Sequence, residues 1–177
     1  MIQDILLDVF NDTKSVVQQL GGLPCIAFPI EENVINDSFP IFFDNDIDKL
    51  KTFFAIGAVS YEKDYDGLIL ILDGCNRDVK QEDKEYFLKN LDIERPTLYP
   101  RTIRNNFVVI QFIDFIDSNH QVLLSEYTRK ENVFSFSNPI FLKEIQSTLV
   151  ELLIEGWNAL AEQDEDEEES DEEDDQE

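Results

Sequence analysis

Glycine is scarce in this chain, with six residues in 177, so a phosphate-cradling loop has little material to form from. No GxSxG, GxGxxG, P-loop or HExxH pattern occurs, which removes the motif-borne routes to hydrolase, dinucleotide, nucleotide and zinc-protease chemistry. Cysteine is limited to Cys25 and Cys75, too few and too far apart in sequence for a disulfide framework or a zinc site. No cation run flanks either one to activate a thiolate, so both read as small apolar side chains. No apolar run approaches the roughly 18–20 residues of a membrane span. The first ten residues, MIQDILLDVF, carry acids and no basic segment, unlike a signal peptide. Together these absences read as a cytoplasmic protein with reduced thiols, although a viral protein would carry the same signature.

Positive charge is the other shortage. Lysine and arginine total 14 against 39 acidic residues, a net charge of −25. From Glu162 to the C-terminus 13 of 16 residues are acidic and none is basic, and the remaining body still holds 26 acids against 14 bases. Both parts repel phosphate. Direct, nonspecific nucleic-acid binding through a broad basic face is therefore not expected, because such binding rests on lysine and arginine displacing counterions.

What is present is a folded core. Apolar residues make up 42% of the chain, and 14 Phe and 5 Tyr oppose global disorder. Asn105–Lys130 reads as a long hairpin whose first arm, Phe107–Ile116, is apolar on both faces and so belongs in the middle of a covered sheet. Leu68–Asp73 (LILILD) is a second such strand. Helical spacing covers residues 2–20, stopped by Gly21-Gly22. Leu23–Ile30 is a strand placed at a sheet edge by Pro24 and Pro29, Glu31–Pro40 is a polar connection, and Ile41–Phe43 can add a few paired residues.

Asp44 or Asn45 caps a helix over 46–62, with Ile47, Leu50, Phe54, Ala58 and Tyr61 as its buried stripe and Gly57 admitting a close neighbour. Gly74–Pro100 is a long connection, in which residues 80–91 could form a helical turn or two. After the hairpin, Glu131-Asn132 turns into Val133–Ser137, and Asn138-Pro139 signals a last helix running to about Ala161. The expected fold is a single α+β domain over 1–161 with a disordered acidic tail over 162–177. Its sheet would be mostly antiparallel with about five strands, the first and last helices on one face and the middle helix on the other.

Several residues could carry function. The tail acids Glu165, Asp166, Glu167, Glu168, Glu169, Asp171, Glu172, Glu173, Asp174 and Asp175 approach a nucleic-acid backbone in charge density, and suit a basic partner protein. They serve equally as a solubilising bristle, and Ser170-Asp171-Glu172-Glu173 suits an acid-preferring kinase. Arg95, Tyr99, Arg101 and Arg104 could bind an anionic ligand, or pair with local carboxylates or the tail. His120, the one histidine, reads as a turn residue. Asp44-Asn45-Asp46-Ile47-Asp48 opens like a calcium loop, but Lys49 and Ala55 stand where that loop needs glycine and glutamate, so helix capping explains it. Asp66 and Asp73, with Asp78-Val79-Lys80 or Glu82-Asp83-Lys84, faintly resemble the acid-x-Lys arrangement of metal-dependent nucleases, displaced here into a polar loop.

The reading that results is a non-enzymatic acidic interaction protein: a regulator, inhibitor, immunity-type protein or nucleic-acid mimic that binds a basic protein partner. No cofactor, metal, membrane or direct nucleic-acid contact is expected, and the chain would be a monomer or homodimer. One alternative is an anionic-ligand-binding or catalytic domain with an Arg-lined site under the 74–100 loop. Another is a structural subunit that self-associates through its sheet.

Overall fold

The structure, a computed structural model, describes residues 2–23, 25–75, 106–117, 119–143 and 147–174. The expected helical turns within 80–91, and most of the 74–100 connection, lie outside the described residues.

The two strands that are apolar on both faces pair with each other. β4 (Gly67–Cys75) and β5 (Asn106–Asp114) form an antiparallel ladder from Gly67↔Asp114 to Cys75↔Asn106. Leu68, Ile69, Leu70, Val108, Ile110 and Ile113 on this ladder have no solvent exposure. Each such side chain contributes about 1.5–3 kcal/mol by leaving water, against at most about 1 kcal/mol for an exposed ion pair. Burial, not charge, therefore sets the architecture.

The sheet grows outward from this ladder. β6 (Gln121–Lys130) pairs with β5 from Asn106↔Tyr127 to Phe112↔Gln121, and β7 (Val133–Phe136) folds back on β6 through a turn in which Glu131 takes φ +55°. On the other side β1 (Ile26–Glu31) pairs with β4, and two short strands, β2 (Val34–Ile35) and β3 (Phe39–Pro40), flank β1. With β8 (Ile140–Leu142) on β6, the mostly antiparallel sheet has eight segments where about five strands were expected. β1 is one position in from the edge. The Pro29 carbonyl accepts from Asn36 N at 2.8 Å, so the missing Pro29 N–H faces the interrupted β2–β3 side and costs β4 nothing.

The α+β class stands, but the helices are distributed differently from the expectation. Among the described residues α1 (Ile2–Leu20) alone covers one face, packing Leu6 and Phe10 against Ile69, Ile71, Val108, Ile110 and Leu123. α2 (Asp46–Glu62) and α3 (Thr148–Asp174) share the other, setting Phe53, Val150 and Leu153 over Ala27, Leu68, Leu70 and Ile113. The reason is a glycine on each helix. A Cβ on Gly57 would run into the Leu153 carbonyl oxygen, and one on Gly156 into that of Phe54, so only glycines permit this approach. Contacts advance together along both helices, with Leu50 near Leu152, Phe54 near Gly156 and Tyr61 on Trp157, so α2 and α3 run in the same direction. The α2 stripe is rotated accordingly, with Leu50, Phe53, Gly57 and Ser60 innermost.

The Asn138-Pro139 helix start is also corrected. Pro139 leads into β8, whose Ile140, Phe141 and Leu142 pair with Leu124, Leu123 and Val122; the residue before a proline is biased to extended backbone, and here the sheet uses that bias. α3 begins at Thr148 and continues through Asp174, past the expected end near Ala161. Gly57→Ala or Gly156→Ala should lower stability by about 2–3 kcal/mol through overpacking, despite the ~1 kcal/mol of helix propensity that alanine gains. Urea denaturation measures this directly, and an unchanged midpoint in both variants would show that the helices do not depend on backbone contact.

Candidate functional site

Because β4 and β5 fill both faces of the sheet, exposed polar chemistry collects at its two ends. At one end three connections meet: β1–β2 with Glu31 and Glu32, α2–β4 with Glu62, Asp64 and Asp66 around a single exposed Lys63, and β5–β6 with Asp114 and Asp117. Asp66 stitches them together. Its N donates to Ile30 O at 2.8 Å, its carbonyl accepts from Phe115 N at 2.9 Å, and its Oδ2 accepts from Glu32 N at 2.6 Å. Asp114 Oδ1 closes the third connection by accepting from Ile116 N at 3.0 Å and Asp117 N at 2.8 Å. Asp64 takes φ +55°, a left-handed geometry that aspartate tolerates better than most residues.

Between these carboxylates lies a recess of about 320 Å³, lined by Tyr61, Glu62, Asp64, Tyr65, Asp66, Ile116 and Trp157. Trp157 is held on two sides: it stacks on Phe115 with centroids 5.7 Å apart and planes 8° from parallel, and it meets Tyr61 edge-on at 5.1 Å. Among the described residues no basic side chain lines the recess, although Lys63 stands between two of the lining residues. Since α3 runs in the same direction as α2, its acid-rich C-terminal part leaves the body at this end, extending roughly 25 Å from Trp157 to Asp174 at 1.5 Å per residue. Glu165–Asp174 of the expected partner-binding run therefore lie on α3 beyond the recess; Asp175 is outside the described residues.

The opposite end differs in character. A recess of about 390 Å³ there is lined by Leu23, Cys25, Pro40, Ile41, Phe42, Phe43, Lys49, Leu72 and Asp73. The Lys49 ammonium lies 5.0 Å from the Phe43 ring centre. Burial raises the Cys25 thiol to about 11, with Lys49 opposing the shift. Burial likewise raises the Asp73 carboxyl above its usual range, although the residue keeps one side exposed; its bond from Tyr127 Oη at 2.9 Å and the charge of Lys49 act the other way. The expected ligand-binding residues Arg95, Tyr99, Arg101 and Arg104 lie outside the described residues.

Other candidates resolve simply. Asn45 Oδ1 accepts from Asp48 N and Asp48 Oδ2 from Asp44 N, both at 2.8 Å, so these acids cap α2 reciprocally. Asp66 and Asp73 sit toward opposite ends of β4, seven residues or roughly 23 Å apart, and cannot share a metal ion. Asp78, Lys80, Glu82, Asp83 and Lys84 lie outside the described residues. His120 stands just ahead of β6, half-buried, with its Nδ1 buried and lacking a hydrogen-bond partner among the described residues. Among the described residues no group of three or more His, Cys, Asp and Glu is placed to hold a metal ion, and no helix is long and apolar enough to cross a membrane.

Sequence reasoning missed the aromatic recess. Tyr61 falls on the apolar stripe of α2, which assigns it to the core; the available signal is YEKDYDG (61–67), where two tyrosines stand among three acids and one lysine directly ahead of a buried strand. Comparison with known proteins returns no matching family model, no curated relative and no similar solved structure.

With its pKa near 11, the Cys25 thiol should alkylate roughly a hundredfold more slowly at pH 8 than a thiol of ordinary pKa. Iodoacetamide kinetics in a Cys75→Ser background test this, and a rate matching glutathione would mean the thiol is not shielded. Because the folded state raises the Asp73 pKa, its ionisation costs stability as pH rises through that raised value, and the cost vanishes below the unfolded value. Asp73→Asn should therefore melt higher than wild type at pH 7, with the difference closing toward pH 3, as followed by thermal denaturation at both pH values.

Proposed function

We propose that this protein is a non-enzymatic, cytoplasmic interaction protein that captures a basic partner protein through the acidic end of its sheet. The observation that carries the proposal is the convergence of the acids. Three acid-bearing connections and the acid-rich end of α3 share one end of the molecule, around a recess that no basic side chain lines among the described residues. Scattered acids would confer solubility; acids gathered at one end produce a directed field that steers a positively charged partner and raises its association rate. A regulator, an inhibitor, an immunity-type protein or a nucleic-acid mimic would each use such a surface.

The anionic-ligand alternative draws less support from the described residues. Lys49 is the single cation lining the recess at the opposite end, and it shares that recess with the Asp73 carboxylate. Self-association through a sheet face also lacks material, since the central strands are covered on both sides. Exposed apolar residues such as Val34, Ile35, Ile140 and Leu142 lie instead on the short edge strands.

Affinity for a partner recovered with the full-length protein should fall at least about tenfold between about 50 and 500 mM salt, mainly through the association rate. A full-length variant with the acids of 162–177 replaced by their amides should associate more slowly even at low salt. If affinity changes by less than about twofold across that salt range, electrostatic capture is the wrong mechanism.

A further inference from the structure

We propose that the recess at the acidic end receives an arginine side chain of the partner, its guanidinium stacking on the aromatic lining and its N–H groups meeting the rim carboxylates. The site presupposes the electrostatic capture proposed above and gives it a point of recognition.

Four observations carry the assignment. The lining combines Trp157, Tyr61 and Tyr65 with Glu62, Asp64 and Asp66, the two kinds of group that a planar cation engages at once. Trp157 is immobilised between Phe115 and Tyr61, so its ring is preorganised rather than recruited on binding. The volume, about 320 Å³, is at the low end of the ~300–1,000 Å³ of small-molecule sites, and suits a side-chain head better than a cofactor. Ile116, 64% exposed on the lining, offers apolar surface to an aliphatic stem.

The chemistry also discriminates among cations. The recess carboxylates do not form a group placed to hold a metal ion. Asp66 already commits Oδ2 to Glu32 N, which leaves Glu62 and Asp64, both exposed, as the flexible acceptors at the rim. A guanidinium can stack and donate in its own plane to two carboxylates; an ammonium is a compact, strongly hydrated charge and gains less from a flat aromatic lining.

Trp157 is the sole tryptophan, so its fluorescence reports directly on the recess. The full-length protein is titrated with a hexa-arginine and a hexa-lysine peptide, following Trp157 emission and, independently, heat of binding. The arginine peptide should bind about fivefold or more tighter than the lysine peptide and shift Trp157 emission. Glu62→Gln/Asp64→Asn should weaken it about tenfold, whereas Asp12→Asn/Glu131→Gln, which removes equal charge from α1 and the distant β6–β7 turn, should change it less than about twofold. Asparagine tolerates the left-handed geometry at position 64, so the first variant keeps its fold, as circular dichroism would verify.

Equal binding of both peptides with unchanged Trp157 emission overturns the guanidinium site and leaves electrostatic capture standing. Tighter binding of the lysine peptide with an emission shift also overturns it, in favour of an ammonium site. If neither peptide binds at low salt, both proposals fall.

Discussion

Backbone meets backbone where Gly57 of α2 faces Leu153 of α3 and Gly156 of α3 faces Phe54 of α2, and the rest of the molecule is arranged around that contact. Only residues without a Cβ allow the two helices to come so close, and once they do, both must lie on the same face of the sheet. Among the described helices α1 is left to cover the other face. The contact also sets direction. With α2 and α3 running the same way, the end of α2 at Glu62 and the acid-rich part of α3 emerge together instead of at opposite ends. Reversing α3 would send its acids toward Lys49 and the apolar recess. A packing constraint inside the molecule thus determines where its charge is presented.

The sheet reinforces this division. Ladder residues from Leu68 to Ile71 and from Val108 to Ile113 are spent on two cores, leaving the ends of the strands as the places where polar groups can gather. The two ends hold different contents. One holds a shielded thiol, a lysine and an aspartate among apolar side chains; the other holds carboxylates around aromatic rings. Like charges so concentrated oppose compact folding, by an amount that salt screens and an added cation removes. Asp66 shows how the fold tolerates them, since its carboxylate is employed as an acceptor for Glu32 N while its backbone ties β1 and β5 together.

Local signals were legible wherever one segment decided its own fate. LILILD and FVVIQFID announced strands buried on both faces, the Asn45 cap fixed the start of α2, and Gly21 at φ +73° ended α1. What could not be read depended on partners far along the chain. Asn138-Pro139 has the local form of a helix start, yet Ile140–Leu142 gains more by pairing with Val122–Leu124 than by beginning a helix alone. Gly57 announced a close approach without naming Gly156 as its partner. Of the candidate site, its acidity was plain from composition. Its aromatic lining was not, because Tyr61 and Trp157 occupy positions that a helical stripe assigns to the core, and only the meeting of α2, α3 and the β5–β6 connection turns them toward a shared recess.

The helix end itself supplies the last step. Carboxylates near a helix C-terminus oppose its dipole, and like charges at i and i+4 repel along one face, so the sequence from Glu165 to Asp174 is an unfavourable way to extend α3. Cationic groups from a partner reverse both terms at once, by neutralising neighbours and by placing positive charge where the dipole favours it. Were a partner to hold the acids, as proposed above, its binding and the helical order of this segment would be coupled, because neutralising the acids removes the repulsion that opposes the helix. The packed body provides the nucleus from which this self-repelling sequence is extended as helix.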